Sequence, residues 1–265
     1  MIFELQELSI GDEQIPILIE EIAAIIIKRM RILGLTRGSD TYLDSHTNAI
    51  LASIEQKERL PMEKKSKEAL VDEIVQLEWK AFDKVENQGG CRVDCQDNWE
   101  TFSIMRKSQF LAWNEAMLLS YLEDFRSANH RGWNLVTEKY GRMMRSTDPE
   151  EYEKLKNYFP KTSDQKDAII EEIVKIQVEW MEAFAKEYPK ISAGARSIRT
   201  EEDSLFNTSY ETYLRGELAT YSDKTLNLYG RFIVEIYQEN GNLAHTIIGN
   251  TAKLYGYDDL YALEI

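Results

Sequence analysis

Three stretches of the chain, residues 66–86, 98–127 and 163–187, contain neither proline nor glycine. Each is rich in Glu, Lys, Leu, Ala and Ile, which lose little on entering a helix. Alternating β-branched runs, the mark of strands, are nearly absent. The chain is therefore expected to be all-α, with helices as its only long elements. Its 265 residues are 43% hydrophobic, enough apolar mass for one large core or two small ones.

Punctuation divides this helical chain. A first helix is expected from Pro16, where a missing N–H costs nothing, to Gly34. Asp40 can cap a second, to about Glu58, which makes residues 1–60 an N-terminal helical hairpin. "ERLPMEKKSK", charged and broken by Pro61, is the linker. Ser66 then caps a helix to about Glu86, one long helix spans roughly Asn98 to Ser127, and another Arg131 to Arg145. Asp148 caps a short helix with Pro149 in its first turn. Ser163 or Asp164 starts the next long helix, to Glu187. One helix is expected from Thr208 to Glu239 and another from Asn242 to Leu254, with a short one in the tail.

The chain also echoes itself. "DEIV" and "QLEW" (72–79) return as "EEIV" and "QVEW" (171–180), "ETF" (100–102) as "ETY" (211–213), and "TEKYG" (137–141) as "TAKLYG" (251–256). The order is kept at a spacing of about 100 residues. This predicts a bundle over 66–265 built from a duplicated three-helix unit, the first at 66–146 and the second at 163–265.

A net charge of −14 repels nucleic acid and anionic membranes, and acidic side chains outnumber basic ones even around Lys28, Arg29, Arg31 and Arg37. The longest apolar run is broken by Glu20 and Glu21, too soon to span a bilayer. No nucleic-acid or membrane partner is expected. Two cysteines and no signal peptide point to a reducing cytoplasm.

Chemistry is expected where polar groups sit in apolar stripes. Val71, Val75, Glu78 and Phe82 fall on one helical face. A carboxylate there must find an arginine, stay protonated or bind something. The second copy places Gln177 among Ile170, Val174 and Met181, with Glu179 nearer the edge. Trp79 and Trp180 read as packing residues. Arg92 precedes Glu100, and Arg196 and Arg199 precede Glu211. Each arginine thus comes before a helix start whose free N–H groups and fork-shaped partner suit an anion. The alternative is that Arg92 and Arg199 pair with the embedded glutamates. Glu211 and Arg215, four apart, can pair within their helix.

Cys91 and Cys95 have no histidine at metal-type spacing, so no metal site is expected. No glutamate precedes a histidine by three residues, as di-iron bundles require. Phosphate-loop, dinucleotide and nucleophile-elbow motifs are missing too, and no cofactor can be named.

"NQGGCRVDCQDNWETFSIMRKSQFLAWNEAMLLSYL", "IQVEWMEAFAKEYP" and "TSYETYLRGELATYS" resemble a bacterial helical family, domain-of-unknown-function family 4125, over about residues 66–260. The resemblance brings no activity with it. "RILGLTRGSDTYLDSHTNAI" (31–50) is similar to the helical tail of nucleotidyltransferase-like proteins, which implies that residues 1–60 dock on such a partner or are its remnant.

Two functions follow. One is a cytoplasmic small-molecule-binding domain, with or without catalysis, whose pocket gathers Glu78, Arg92, Glu100, Arg106, Glu179, Arg199, Glu211 and Arg215 around a small anion. The other is a non-catalytic helical module docking on a nucleotidyltransferase-like partner.

Overall fold

A computed structural model describes residues 65–86 and 94–264. The expected hairpin over 1–60, the linker up to residue 64, Cys91 and Arg92 lie outside the described residues. Among the described residues eleven α-helices follow one another: α1 Lys67–Phe82, α2 Trp99–Leu111, α3 Glu115–His130, α4 Leu135–Thr147, α5 Pro149–Leu155, α6 Asp164–Glu187, α7 Pro189–Ala193, α8 Tyr210–Thr220, α9 Asp223–Gln238, α10 Leu243–Leu254 and α11 Tyr261–Glu264. Among the described residues there is no β-strand, only an isolated bridge between Ser204 and Asn207. The fold is all-α.

Side-chain caps explain most helix starts. Ser66, Asn98, Asp148 and Ser163 each accept a backbone N–H of the first turn, satisfying a donor that has no intrahelical partner. Two further caps correct the sequence reading. Asn114 accepts the N–H of Met117, and Ser222 that of Thr225. The expected helix 98–127 is therefore two helices, α2 and α3, and 208–239 is α8 and α9. Where the sequence predicts two three-helix units, the structure has two sets of four helices: α1–α4, and α6 with α8–α10. At both breaks an aromatic side chain turns into the core, Trp113 at 0% and Tyr221 at 1% exposure. Their rings meet edge to face, 5.9 Å apart.

The two sets pack by one scheme. In the first, α1 lies against α2, α3 and α4; in the second, α6 lies against α8, α9 and α10. Across the sets, α2 meets α10, α8 meets α4, and α3 meets α9. Each fourth helix is tied to its own set in the same way. Asn134 caps α4 at the N–H of Val136 and donates its amide to the carbonyl of Ala81 at the end of α1. Asn242 caps α10 at the N–H of Ala244 and donates to the carbonyl of Trp180 in α6. Asn134→Ala and Asn242→Ala should each lose about 1–2 kcal/mol of stability in equilibrium urea unfolding, the upper range of an N-cap because a carbonyl partner goes too.

The contact of α8 with α4 is close. A methyl group at Gly216 would stand 3.0 Å from Met143 Cγ and 3.1 Å from the carbonyl oxygen of Lys139. Glycine there lets the two backbones approach, and this brings Lys139 beside α8. The core itself follows the predicted stripes. Val71, Val75, Glu78 and Phe82 are all buried, as are Ile170, Val174 and Gln177. Trp180 is buried, and Trp79 packs edge-on to Trp99 and against Phe102.

Candidate functional site

The junction of the two sets carries a cluster of charged side chains inside the core. Glu78 comes from α1, Arg106 from α2, Lys139 from α4 and Glu217 from α8. None is more than 7% exposed. Two acids face two bases, so the cluster is formally neutral.

Arg106 is its hub. Its Nε and Nη2 donate to Glu78 Oε2 and Oε1, both at 2.6 Å. Nη1 and Nη2 donate to Glu217 Oε2 and Oε1, both at 3.1 Å. Nη1 also donates to Gln109 Oε1, whose amide in turn donates to Glu217 Oε1. The guanidinium stands over the Phe110 ring at 4.8 Å. Tyr121 donates its hydroxyl to Glu78 Oε1, and Tyr221 donates to Glu217 Oε1. Lys139 donates to the Tyr213 hydroxyl at 2.8 Å and lies 3.5 Å from Glu217 Oε2. Almost every lone pair and N–H of the cluster is thus occupied from within, the condition under which buried charges are tolerated.

The electrostatics follow from this geometry. Burial alone would raise the Glu217 carboxyl, but Arg106 and Lys139 outweigh it and hold the group down at about 2. Burial would lower Arg106 and Lys139, and the facing carboxylates and phenols reverse that, so both are held above their ordinary range. Burial and the nearby carboxylates push Tyr121 and Tyr221 up, keeping them as neutral donors.

The expected site residues divide among several places. Glu78 and Arg106 are together in the core. Glu211 and Arg215 pair at 2.9 Å elsewhere, and Arg215 also donates to Glu171 at 2.7 Å and 3.0 Å. Arg199 pairs with Glu182 at 2.7 Å, not with an embedded glutamate. Glu100 and Glu179 are exposed, and Arg92 lies outside the described residues.

Glu217, Lys139 and Gln109 were missed in the sequence, although Glu217 obeys the rule that singled out Glu78. Leu214, Glu217, Leu218 and Tyr221 fall at i, i+3, i+4 and i+7, a carboxylate within an apolar stripe.

The second set repeats the Glu78–Tyr121 contact without charge. Gln177 of α6 accepts from the Tyr229 hydroxyl of α9 at 3.1 Å and from Tyr210 at 3.3 Å. Its Nε2 is buried and donates to nothing among the described residues.

A cleft of about 110 Å³ is lined by Ser163, Lys166, Ile169, Asp223 and Asn227, below the roughly 300–1,000 Å³ of a ligand pocket. Among the described residues no three His, Cys, Asp or Glu side chains are gathered to hold a metal ion, and no helix is long and apolar enough to cross a membrane.

Fold and site together define an all-α domain with a neutral ionic cluster sealed at its centre. The chain belongs to the family described as "Protein of unknown function (DUF4125)", whose model matches residues 68–265. No curated protein and no solved structure matches it.

Proposed function

We propose that residues 65–265 form a non-catalytic helical module that docks on another protein, and that the buried cluster locks its two helix sets in register. The observation that carries this reading is the closure of the cluster. Glu78 and Arg106, the two expected site residues that meet in the core, spend their hydrogen bonds on Glu217, Gln109 and Tyr121. A ligand would have to displace one of these partners and leave a buried charge uncompensated. Large apolar side chains stand instead on the surface, among them Phe206, Tyr158, Tyr261 and Tyr237.

The matching pairings of the two sets, and the paired roles of Asn134 with Asn242 and Tyr121 with Tyr229, support an origin by duplication of a four-helix unit. A cytoplasmic location and a nucleotidyltransferase-like partner reached through residues 1–60 complete the proposal. The support for that partner is the resemblance of residues 31–50.

A thermal-shift screen of the full chain against nucleotides, amino acids and sugar phosphates decides against the small-anion reading or restores it. A ligand at a hundredfold its dissociation constant adds about 2.7 kcal/mol, a rise of roughly 5–10 °C for a domain of this size. The docking reading expects no compound to produce such a rise. One that did would return the domain to the ligand-binding class.

A further inference from the structure

The connection between α7 and α8 is long, yet it is braced as tightly as a helix end. Tyr210 and Glu211 donate their N–H groups to the carbonyls of Ser197 and Ile198. The Asn207 amide donates to Ser197 Oγ and to the carbonyl of Glu202. Asp203 accepts the N–H of Ser209 at 2.6 Å and the hydroxyl of Thr212 at 2.5 Å. Thr200 donates its N–H to Glu211, and Arg196 donates to the carbonyl of Thr208. Ser204 and Asn207 exchange backbone bonds at 2.9 Å and 3.1 Å, closing a tight turn. At its tip are Leu205, 57% exposed, and Phe206, 94% exposed.

Such bracing runs against the ordinary behaviour of a surface loop, which keeps its apolar side chains out of water or moves freely. Here hydrogen bonds hold the backbone beneath an aromatic and an aliphatic side chain that stand in solvent. A rigid, exposed aromatic loses little entropy on binding, which is the property of an interface anchor. The charge around the tip selects the partner. Glu201 and Glu202 are exposed beside it, the neighbouring cations Arg199 and Arg196 are engaged by Glu182 and by the Thr208 carbonyl, and the whole chain carries −14. A second copy of the chain or an anionic membrane would be repelled.

We propose that the Leu205–Phe206 turn is the docking anchor of this domain, inserting into an apolar pocket of a partner protein whose rim carries lysine or arginine. This rests on the docking reading above and adds to it a contact made by residues 65–265 themselves, beside the one proposed through residues 1–60.

The test places a photo-crosslinking amino acid at position 206 of the full chain (Phe206→p-benzoylphenylalanine) in its native cells, and the same group at Val234 and at Tyr257. The protein captured from position 206 is then purified and its affinity for the unmodified chain measured. The inference expects at least a tenfold loss with Leu205→Ala/Phe206→Ala. It also expects weaker binding with added salt and with Glu201→Gln/Glu202→Gln. Both apolar side chains face water, so the double variant should keep the melting temperature of the parent. A captured partner that binds the double variant equally well overturns the anchor, as does capture of lipid or of a second copy. Capture from Val234 or Tyr257 alone overturns the anchor and leaves the docking reading standing. No capture from any of the three positions overturns both.

Discussion

Arg106→Met should cost about 3–5 kcal/mol, a fall in melting temperature on the order of 10 °C. Methionine replaces the aliphatic stem but not the guanidinium, so the cation–π contact with Phe110 is lost too, and the larger part of the loss is electrostatic. Without the guanidinium, Glu78 retains the Tyr121 hydroxyl, and Glu217 retains Gln109, Tyr221 and a distant Lys139. Two carboxylates then share a dry site with one ammonium, and the destabilisation is that of an uncompensated buried charge rather than of one missing contact.

The pH dependence separates this account from a packing defect. In the parent, Glu217 is held at about 2 against an ordinary 4.5. Its contribution is present above pH 4.5 and is lost as pH falls through 2. In Arg106→Met the largest lowering influence is gone and burial pushes the same carboxyl up. Its penalty is then full at neutral pH and vanishes below 4.5. The stability gap between parent and variant should therefore be widest near pH 7 and should close on acidification. A gap independent of pH would mean that packing, not charge, was lost.

A second comparison tests the cluster as a unit. Glu78→Gln, Arg106→Met, Lys139→Met and Glu217→Gln together remove every formal charge while keeping amide oxygens for Tyr121 and Tyr221. Whole buried ionic groups are often replaceable at little cost where single members are not. The quadruple variant should be less destabilised than Arg106→Met alone in urea titration.

The helices were legible because their information is local. A cap such as Ser66 or Ser163 acts within three residues, and the stripe through Val71, Val75 and Glu78 lies on one element. The breaks at Asn114 and Ser222 were not read, because the apolar pattern runs straight across them: Trp113 and Tyr221 continue the stripe while the backbone turns. Asn114 and Ser222 were themselves valid caps, and their signal was outweighed by periodicity. Site residues were legible one at a time. Glu78 betrayed itself by being a carboxylate among apolar neighbours. Arg106 was expected in the same pocket but not as its direct partner, 28 residues on; Glu217, a further 111 residues on, was not expected at all, and the packing of α1 on α2 and of α8 on α4 brings the three together. Arg199 was singled out for preceding a helix start, and it found Glu182 on the surface. An arginine near a helix start has many carboxylates within reach of its sequence, and tertiary geometry chooses among them.

That choice explains why the two helix sets differ at one position. Glu78 of α1 and Gln177 of α6 each receive a tyrosine hydroxyl, from Tyr121 and Tyr229. Only Glu78 also receives an arginine fork. Glu217 of α8 receives that same fork from Arg106 of α2, so no cation remains to face Gln177. Gln177→Glu should therefore be severe where Glu78 is tolerated. The new carboxyl would have two phenol donors, Tyr210 and Tyr229, and no cation in contact among the described residues. Kept protonated by burial at pH 7, it would cost about 1.4 kcal/mol for each unit between its ordinary pKa and the solution pH, roughly 3–4 kcal/mol. With its folded pKa raised, the penalty is absent below the ordinary carboxylate range and grows as pH rises toward the shifted value. Gln177→Leu provides the contrast. It removes an amide whose Nε2 has no acceptor among the described residues, and it strips Tyr229 and Tyr210 of one acceptor. Gain and loss oppose each other, and the net change should stay within about 1.5 kcal/mol. Urea unfolding of both variants at pH 4 and pH 7 distinguishes the cases: the glutamate variant should be near the parent in acid and far below it at neutrality, and the leucine variant should track the parent at both. Equal behaviour of the two would show that Gln177 is a packing residue and that the charge asymmetry between the sets has no energetic basis.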